Sequence, residues 1–292
     1  PWVEPAGLAH WTAARRIADG RGAYWHEAAI HVRRRIAAAF EQIYDPLAYR
    51  MAAGTTLGIR HPIYSSEHRG LPMREIFARA GIGHLLAVSG LHVGILAAAL
   101  CWLLVRLGLP RSAAALGSIP GIAFYVVLVG LPACTIRAGI MSAIGVLAWA
   151  YFPGHTSRAL ALGLCASAGL ILLADPGQLF EVGFQISFLC VLSLVCIAPL
   201  TNAGLLRLGW RRGTPVRALV AAQIALLFGV VLPLAPLYFG RFSVAGLFVN
   251  LVVIPLSGIV IPASLGVGLL ALVPGPGVWV ARWLAVPVNM LY

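Results

Sequence analysis

The chain has 292 residues, 60% of them hydrophobic and only 10% charged, with a mean hydropathy of +0.90 and a formal net charge of +12. A water-soluble domain carries about 25% charged residues, so this composition excludes a surface that faces water throughout. All 21 basic residues are arginine, whose planar fork suits phosphate and carboxylate partners.

Charge divides the chain. Residues 1–84 hold 11 Arg and 7 acids, whereas residues 85–292 hold 10 Arg and only two acids, Asp175 and Glu181. Residues 1–25 are irregular, with scattered Pro, Gly and Trp, and read as a linker from a missing upstream domain. Residues 26–83 read as amphipathic, interfacial helices. In the first, over 26–44, Ile30, Ile36, Phe40 and Ile43 fall near helical spacing beside Arg33, Arg34 and Arg35. It either lies in the membrane interface or packs on the membrane body. A second helix over about 46–58 starts at Asp45-Pro46, a cap followed by proline. A third, over about 72–81, starts at Pro72 and stops at Gly81.

Residues 84–292 form the membrane body, and the chain ends inside an apolar run, which reads as a C-terminal truncation. A helix crossing the hydrocarbon layer needs roughly 20 residues. The expected spans are about 85–105, 113–131, 136–152, 158–174, 179–200 and 216–239. Residues 244–273 contain Pro255 and Pro262, and form one kinked span or two re-entrant halves. A last run over about 277–292 follows. The expected fold is therefore all-α, a polytopic helical membrane protein with about 7–9 spanning or re-entrant segments. The connections with Arg106, Arg111, Arg158, Arg207, Arg211, Arg212 and Arg217 lie on one side and carry no acid; Arg137, Arg241, Asp175 and Glu181 lie on the other. Positive charge orients the first set to the cytoplasm and residues 1–84 to the outer side.

The first span opens on HLLAVSGLHVG, residues 84–94. Polar side chains are costly in lipid and are expected to face protein or water. On one continuous helix Ser89 and His92 share a face, and His84 sits about 80° from His92. Gly90 and Gly94 form a small-xxx-small pair suited to helix packing. A serine hydrolase would need a base and an orienting partner, and neither is evident. A His84/His92 metal site lacks further ligands, so neither metal nor cofactor is expected. The five cysteines read as small packing residues.

This stretch resembles the signature of the ComEC family of competence proteins. Three further blocks resemble that family in the same order: CTIRAGIMSAIGVLAW (134–149), ADPGQLFEVGFQISF (174–188) and LPLAPLYFGRFSVAGLFVNLVVIPL (232–256). The segment TTLGIRHP (55–62) departs from it, because an acidic residue is expected after the Gly. The resemblance implies passage of single-stranded DNA across the bacterial cytoplasmic membrane during natural transformation, a channel and not an enzyme. It implies as partners the OB-like and metallo-β-lactamase-like domains of the full-length protein and other DNA-uptake components, besides the lipid bilayer.

A conduit for a polyanion needs cationic and polar groups shielded from lipid. Arg137, at the start of the third span, is the best candidate, with snorkelling to the interface as its plain alternative. Glu181 and Gln185 lie four apart on one expected helix face, and Asn250 is the last polar marker. The polar seam therefore comprises His84, Ser89, His92, Arg137, Glu181, Gln185 and Asn250. Buried charge is sparse, so the expected path is narrow and gated, and is completed by another copy in a homo-oligomer or by a partner. A secondary transporter for a small solute is the first alternative function, an intramembrane serine hydrolase the second, and a scaffold without passage the third.

Overall fold

Long apolar helices can satisfy every backbone group internally, which is what a lipid environment demands. The computed structural model describes residues 23–59, 67–68, 71–86, 88–152, 156–211, 213–239, 245–273 and 275–291, and it is built from such helices. Most of the expected linker, the loop end Arg60–Pro62, Arg212 and Arg241 lie outside the described residues.

Among the described residues, three helices precede the membrane body: α1 (Ala23–Ile43), α2 (Pro46–Leu57) and α3 (Met73–Arg79). A two-residue antiparallel pair, β1 (Glu67–His68) with β2 (Leu71–Pro72), sits between α2 and α3. A 3-10 turn over Gly83–Leu86 leads into the body. The body contains α4 (Gly90–Arg106), α5 (Arg111–Leu128), α6 (Ala133–Tyr151), α7 (Thr156–Ala174), α8 (Val182–Arg207), α9 (Pro215–Leu226), α10 (Leu232–Phe239), α11 (Ala245–Leu270) and α12 (Pro276–Leu291). A 3-10 turn over Pro176–Phe180 joins α7 to α8, and a π-helical segment over Leu227–Val231 joins α9 to α10.

Among the described residues, five helical stretches have the length and apolarity to cross a membrane: Arg111–Leu128, Ala133–Tyr151, Val182–Arg207, Pro215–Tyr238 and Ala245–Leu270. Two shorter apolar stretches, Gly90–Arg106 and Leu160–Ala174, accompany them. The chain is a polytopic helical membrane protein. The segment over 245–270 is one continuous helix, with Pro255 and Pro262 inside it, not two re-entrant halves.

The first span starts later than expected. Helix α4 begins at Gly90, and residues 83–86 form a separate 3-10 turn. His84 and His92 therefore belong to different elements, and the single-helix geometry expected for them does not hold. Its physical cause is Ser89, a good N-cap residue held in extended conformation at φ −111°, ψ 171°.

Helix α1 packs on the body through its apolar stripe. Ile36 and Phe40 are fully buried and press against Gly268 of α11, where an added Cβ would meet both side chains. They join Leu57, Val88, Val93, Tyr125, Leu128, Leu265 and Ala285 in the main core. His31, Arg34 and Arg35 remain exposed on the opposite face. Arg33 lies over the end of α5, with Nη1 beside Gly130, at the negative end of that helix. Burial holds its guanidinium below the usual arginine range.

Helix α8 lies along the α9–α10 unit at three matched points. The Thr201 hydroxyl donates to the Ala221 carbonyl at 2.9 Å. A Cβ on Gly229 would overlap the Ser193 hydroxyl. The Tyr238 hydroxyl donates to Gln185 Oε1 at 2.6 Å. These pairs run in opposite directions along the two strands of helix, so the units are antiparallel. Eight residues separate Ser193 from Thr201 and Gly229 from Ala221; eight separate Gln185 from Ser193, but nine separate Tyr238 from Gly229. The single extra residue is what a π turn inserts.

Candidate functional site

Contacts gather the beginnings of α4, α6, α8 and α11 with the end of α10 at one end of the body. The Cys134 thiol at the start of α6 lies 3.5 Å from the Val88 carbonyl. Gly246 in the first turn of α11 abuts the Gly81 backbone, at 3.0 Å from an added Cβ to Gly81 Cα. His84 is exposed and leans on the Gly81 backbone. Asn250 lies in the second turn of α11, and its buried Oδ1 has no hydrogen-bond partner.

The quoted signature builds a helix start. The backbone N–H of Ser89 donates to Nδ1 of His92 at 3.0 Å. That is one arm of a capping box, in which the third helical residue reaches back to the cap. With Nδ1 accepting, a neutral His92 carries its proton on Nε2. The ring is fully buried, and Nε2 has no partner. The His92 imidazole thus meets the Ser89 backbone, not its hydroxyl. An imidazole poised to deprotonate Ser89 Oγ, as a serine hydrolase needs, is not formed. Gly90 faces α6, with an added Cβ at 3.4 Å from Ala138 Cβ, whereas Gly94 meets nothing within 4 Å. The expected glycine pair therefore reduces to one contact.

Arg137 occupies the second turn of α6 and is 7% exposed. Its Nη1 reaches Gln178 Oε1 at 3.4 Å, and Nη2 lies 2.7 Å from where a Cβ on Gly183 would sit. Gly183 thus admits the guanidinium against the first turn of α8. Nε of Arg137 is buried without a partner. Among the described residues the only salt bridge joins Arg79 to Glu75, so Arg137 is a buried cation without a carboxylate in contact. Glu181 lies near enough to act on it electrostatically but is exposed at the N-cap of α8.

The sequence reading missed Gln178 as the group that touches Arg137. Its Nε2 donates to Asp175 Oδ2 at 2.9 Å, and Asp175 Oδ1 accepts from the Gly177 N–H at 3.0 Å. The signal was present in Asp-Pro-Gly, a turn-forming run in which aspartate caps its own backbone. Gln185 does not pair with Glu181. Its Nε2 donates to the Leu179 carbonyl at 3.1 Å while its Oε1 accepts from Tyr238. One 3-10 turn, 176–180, therefore carries polar links from α6 on one side and from α8 on the other, and α10 joins through Gln185.

The opposite end of the body is basic. Arg106, Arg111, Arg158, Arg207 and Arg211 are exposed there, and buried Arg217 donates to the Arg211 carbonyl at 3.0 Å. Arg106 lies 5.3 Å from the Trp102 ring and Arg111 5.3 Å from the Trp149 ring. These pairs fit interfacial anchoring. A groove of about 490 Å³ along α7 and α8 is lined by Leu164, Ala168, Phe180, Phe184 and Phe188. Gln185 is the one amide in an otherwise largely apolar lining, and no charged side chain reaches it.

Residues 70–292 match the Competence protein family. The chain is similar to "ComE operon protein 3" of Bacillus subtilis (strain 168), 33% identical over 179 residues, covering 61% of this chain and 22% of that protein. It is also similar to "Competence protein ComA" of Neisseria gonorrhoeae, 32% identical over 158 residues, covering 51% of this chain and 22% of that protein. The chain thus matches only about a fifth of the length of each relative. No solved structure matches it.

Proposed function

The chain belongs to the competence protein family, and on that premise we propose that it is the membrane-crossing conduit through which a single DNA strand enters the cytoplasm. The observation that carries this reading is Arg137, a buried cation between α6 and α8 with no carboxylate in contact. A guanidinium in that setting is poised for a mobile anion, and a phosphodiester matches its charge and fork. Gln178 and the Asp175 turn hold its side, while Asn250, His84 and the Ser89–His92 helix start line the same end. The protein acts by passage and not by bond cleavage, and needs no cofactor of its own.

Orientation follows from the arginine-rich end, which faces the cytoplasm by the positive-inside rule. The polar end and residues 1–84 then face outward on the inner membrane, where an arriving strand meets Arg34 and Arg35 first. The OB-like and metallo-β-lactamase-like domains of the full-length protein, other uptake components and a second copy of the chain are the partners this reading expects.

A solute transporter leans on a broken helix with free backbone at its centre. Helix α11 is continuous through both prolines, which removes that support. The test uses a competent host and its full-length protein, with residues 84–292 deleted or intact, and labelled DNA followed outside and inside the cytoplasmic membrane. The conduit reading expects the deletion to leave outer DNA in place and abolish cytoplasmic DNA. Unchanged cytoplasmic DNA sinks it.

A further inference from the structure

We propose that α10 is a strap that closes the polar end of the conduit, hinged at the π segment and latched by Tyr238 on Gln185. This rests on the conduit reading and assigns its regulation.

The hinge is written in the backbone. Pro233 and Pro236 have no N–H, so two rungs of the helical ladder are missing within one turn of each other. The chain before them relaxes into π geometry, with the Leu232 N–H donating to the Leu227 carbonyl. π turns of this kind are local and recur at functional sites. Upstream, α9 is fixed to α8 by Thr201 on the Ala221 carbonyl, and the π segment itself is seated at Gly229 against Ser193, which makes that point the fulcrum. Beyond Gly229 the fixing is of another kind. Leu232 and Leu237 are exposed, and the Tyr238–Gln185 hydrogen bond is itself exposed. A half pinned to α8 therefore meets a proline-weakened half whose hydrogen bond to α8, among the described residues, is the one from Tyr238 to Gln185.

The latch reaches the site. Gln185 spends both ends of its amide, accepting from Tyr238 and donating to the Leu179 carbonyl. Leu179 belongs to the 3-10 turn whose Gln178 touches Arg137. Opening the latch frees Gln185 Oε1, so the side chain that braces the turn at Leu179 loses its second anchor. Helix α10 is eight residues long, so its tip lies roughly 12 Å from the π segment, and that length is the lever arm of a swing.

The experiment places cysteines at both latch positions, Gln185→Cys and Tyr238→Cys, in the full-length protein of a competent host, with Tyr238→Phe as a second variant. Cross-linking is read by mass spectrometry, uptake by cytoplasmic labelled DNA, and leak by membrane-potential dye. Oxidation is expected to join the pair in resting membranes and to lower uptake at least ten-fold, with recovery on reduction. Tyr238→Phe removes one hydrogen bond and is expected to raise the open fraction by about 2- to 13-fold, seen as depolarisation. A pair that cross-links fully while uptake continues overturns the strap and leaves the conduit reading standing. Failure of the pair to cross-link at rest also overturns it, as does a Tyr238→Phe protein with no added leak. Loss of uptake on deleting residues 84–292 remains the separate test of the conduit itself.

Discussion

Replacing Arg137 by methionine separates a structural tie from a functional cation. The substitution keeps a long flexible side chain and removes the charge. Among the described residues Arg137 makes one hydrogen bond, to Gln178 at 3.4 Å, near the outer limit of such contacts, and leaves Nε buried without a partner. A bond of that quality contributes less than about 1 kcal/mol. Against it stands the cost of keeping an arginine within a membrane helix, roughly 2.5–3.5 kcal/mol at mid-bilayer and less near an end. Arg137 is the fifth residue of α6, so the balance favours methionine by up to about 2 kcal/mol. The full-length Arg137→Met protein is thus expected to unfold in detergent at the same temperature as the parent, or a few degrees higher. Cytoplasmic DNA is expected to fall at least ten-fold, and Arg137→Lys is expected to restore part of it. A variant that melts lower, with lost uptake tracking lost protein, would refute the reasoning and make Arg137 a packing residue.

Other consequences follow from the same contacts. His92→Phe deprives the Ser89 N–H of its acceptor at a helix start, and is expected to cost about 1–2 kcal/mol in detergent unfolding, with His92→Asn less costly because it retains an acceptor. Gly246→Val places a branched side chain against the Gly81 backbone, and is expected to destabilise by about 1–3 kcal/mol and to reduce membrane levels on blots. The Arg79–Glu75 pair is exposed, at 63% and 40%, so Arg79→Ala is expected to leave the melting temperature unchanged within error.

The membrane class and most spans were legible because lipid imposes long apolar runs, and the arginine pattern separated the two ends. The start of α4 was not. Hydropathy runs smoothly through residues 85–105, so it hides the break that Ser89 and Gly90 make. A reading by helix caps, with serine followed three residues on by a side chain able to reach back, would have placed it. Pro255 and Pro262 left one kinked span and two re-entrant halves both open, and the structure has one continuous helix, because a proline inside a packed membrane helix has neighbours to absorb the loss of one rung. At the site, Arg137 stood out from sequence because charge is rare in these spans. Its contact Gln178 did not, since nothing in linear order joins residues 41 apart. The π segment was equally hidden, although its prolines were in plain view.

The central claim is that DNA in transit passes Arg137, and site-directed photo-cross-linking tests it most directly. A photoreactive phenylalanine analogue replaces Gln178 in the full-length protein, and light is applied while a competent cell takes up labelled DNA. The conduit account expects a protein–DNA adduct at position 178 that carries single-stranded DNA and vanishes when uptake is stopped. Adducts at an exposed control position such as Arg34, with none at 178 during active uptake, would contradict it.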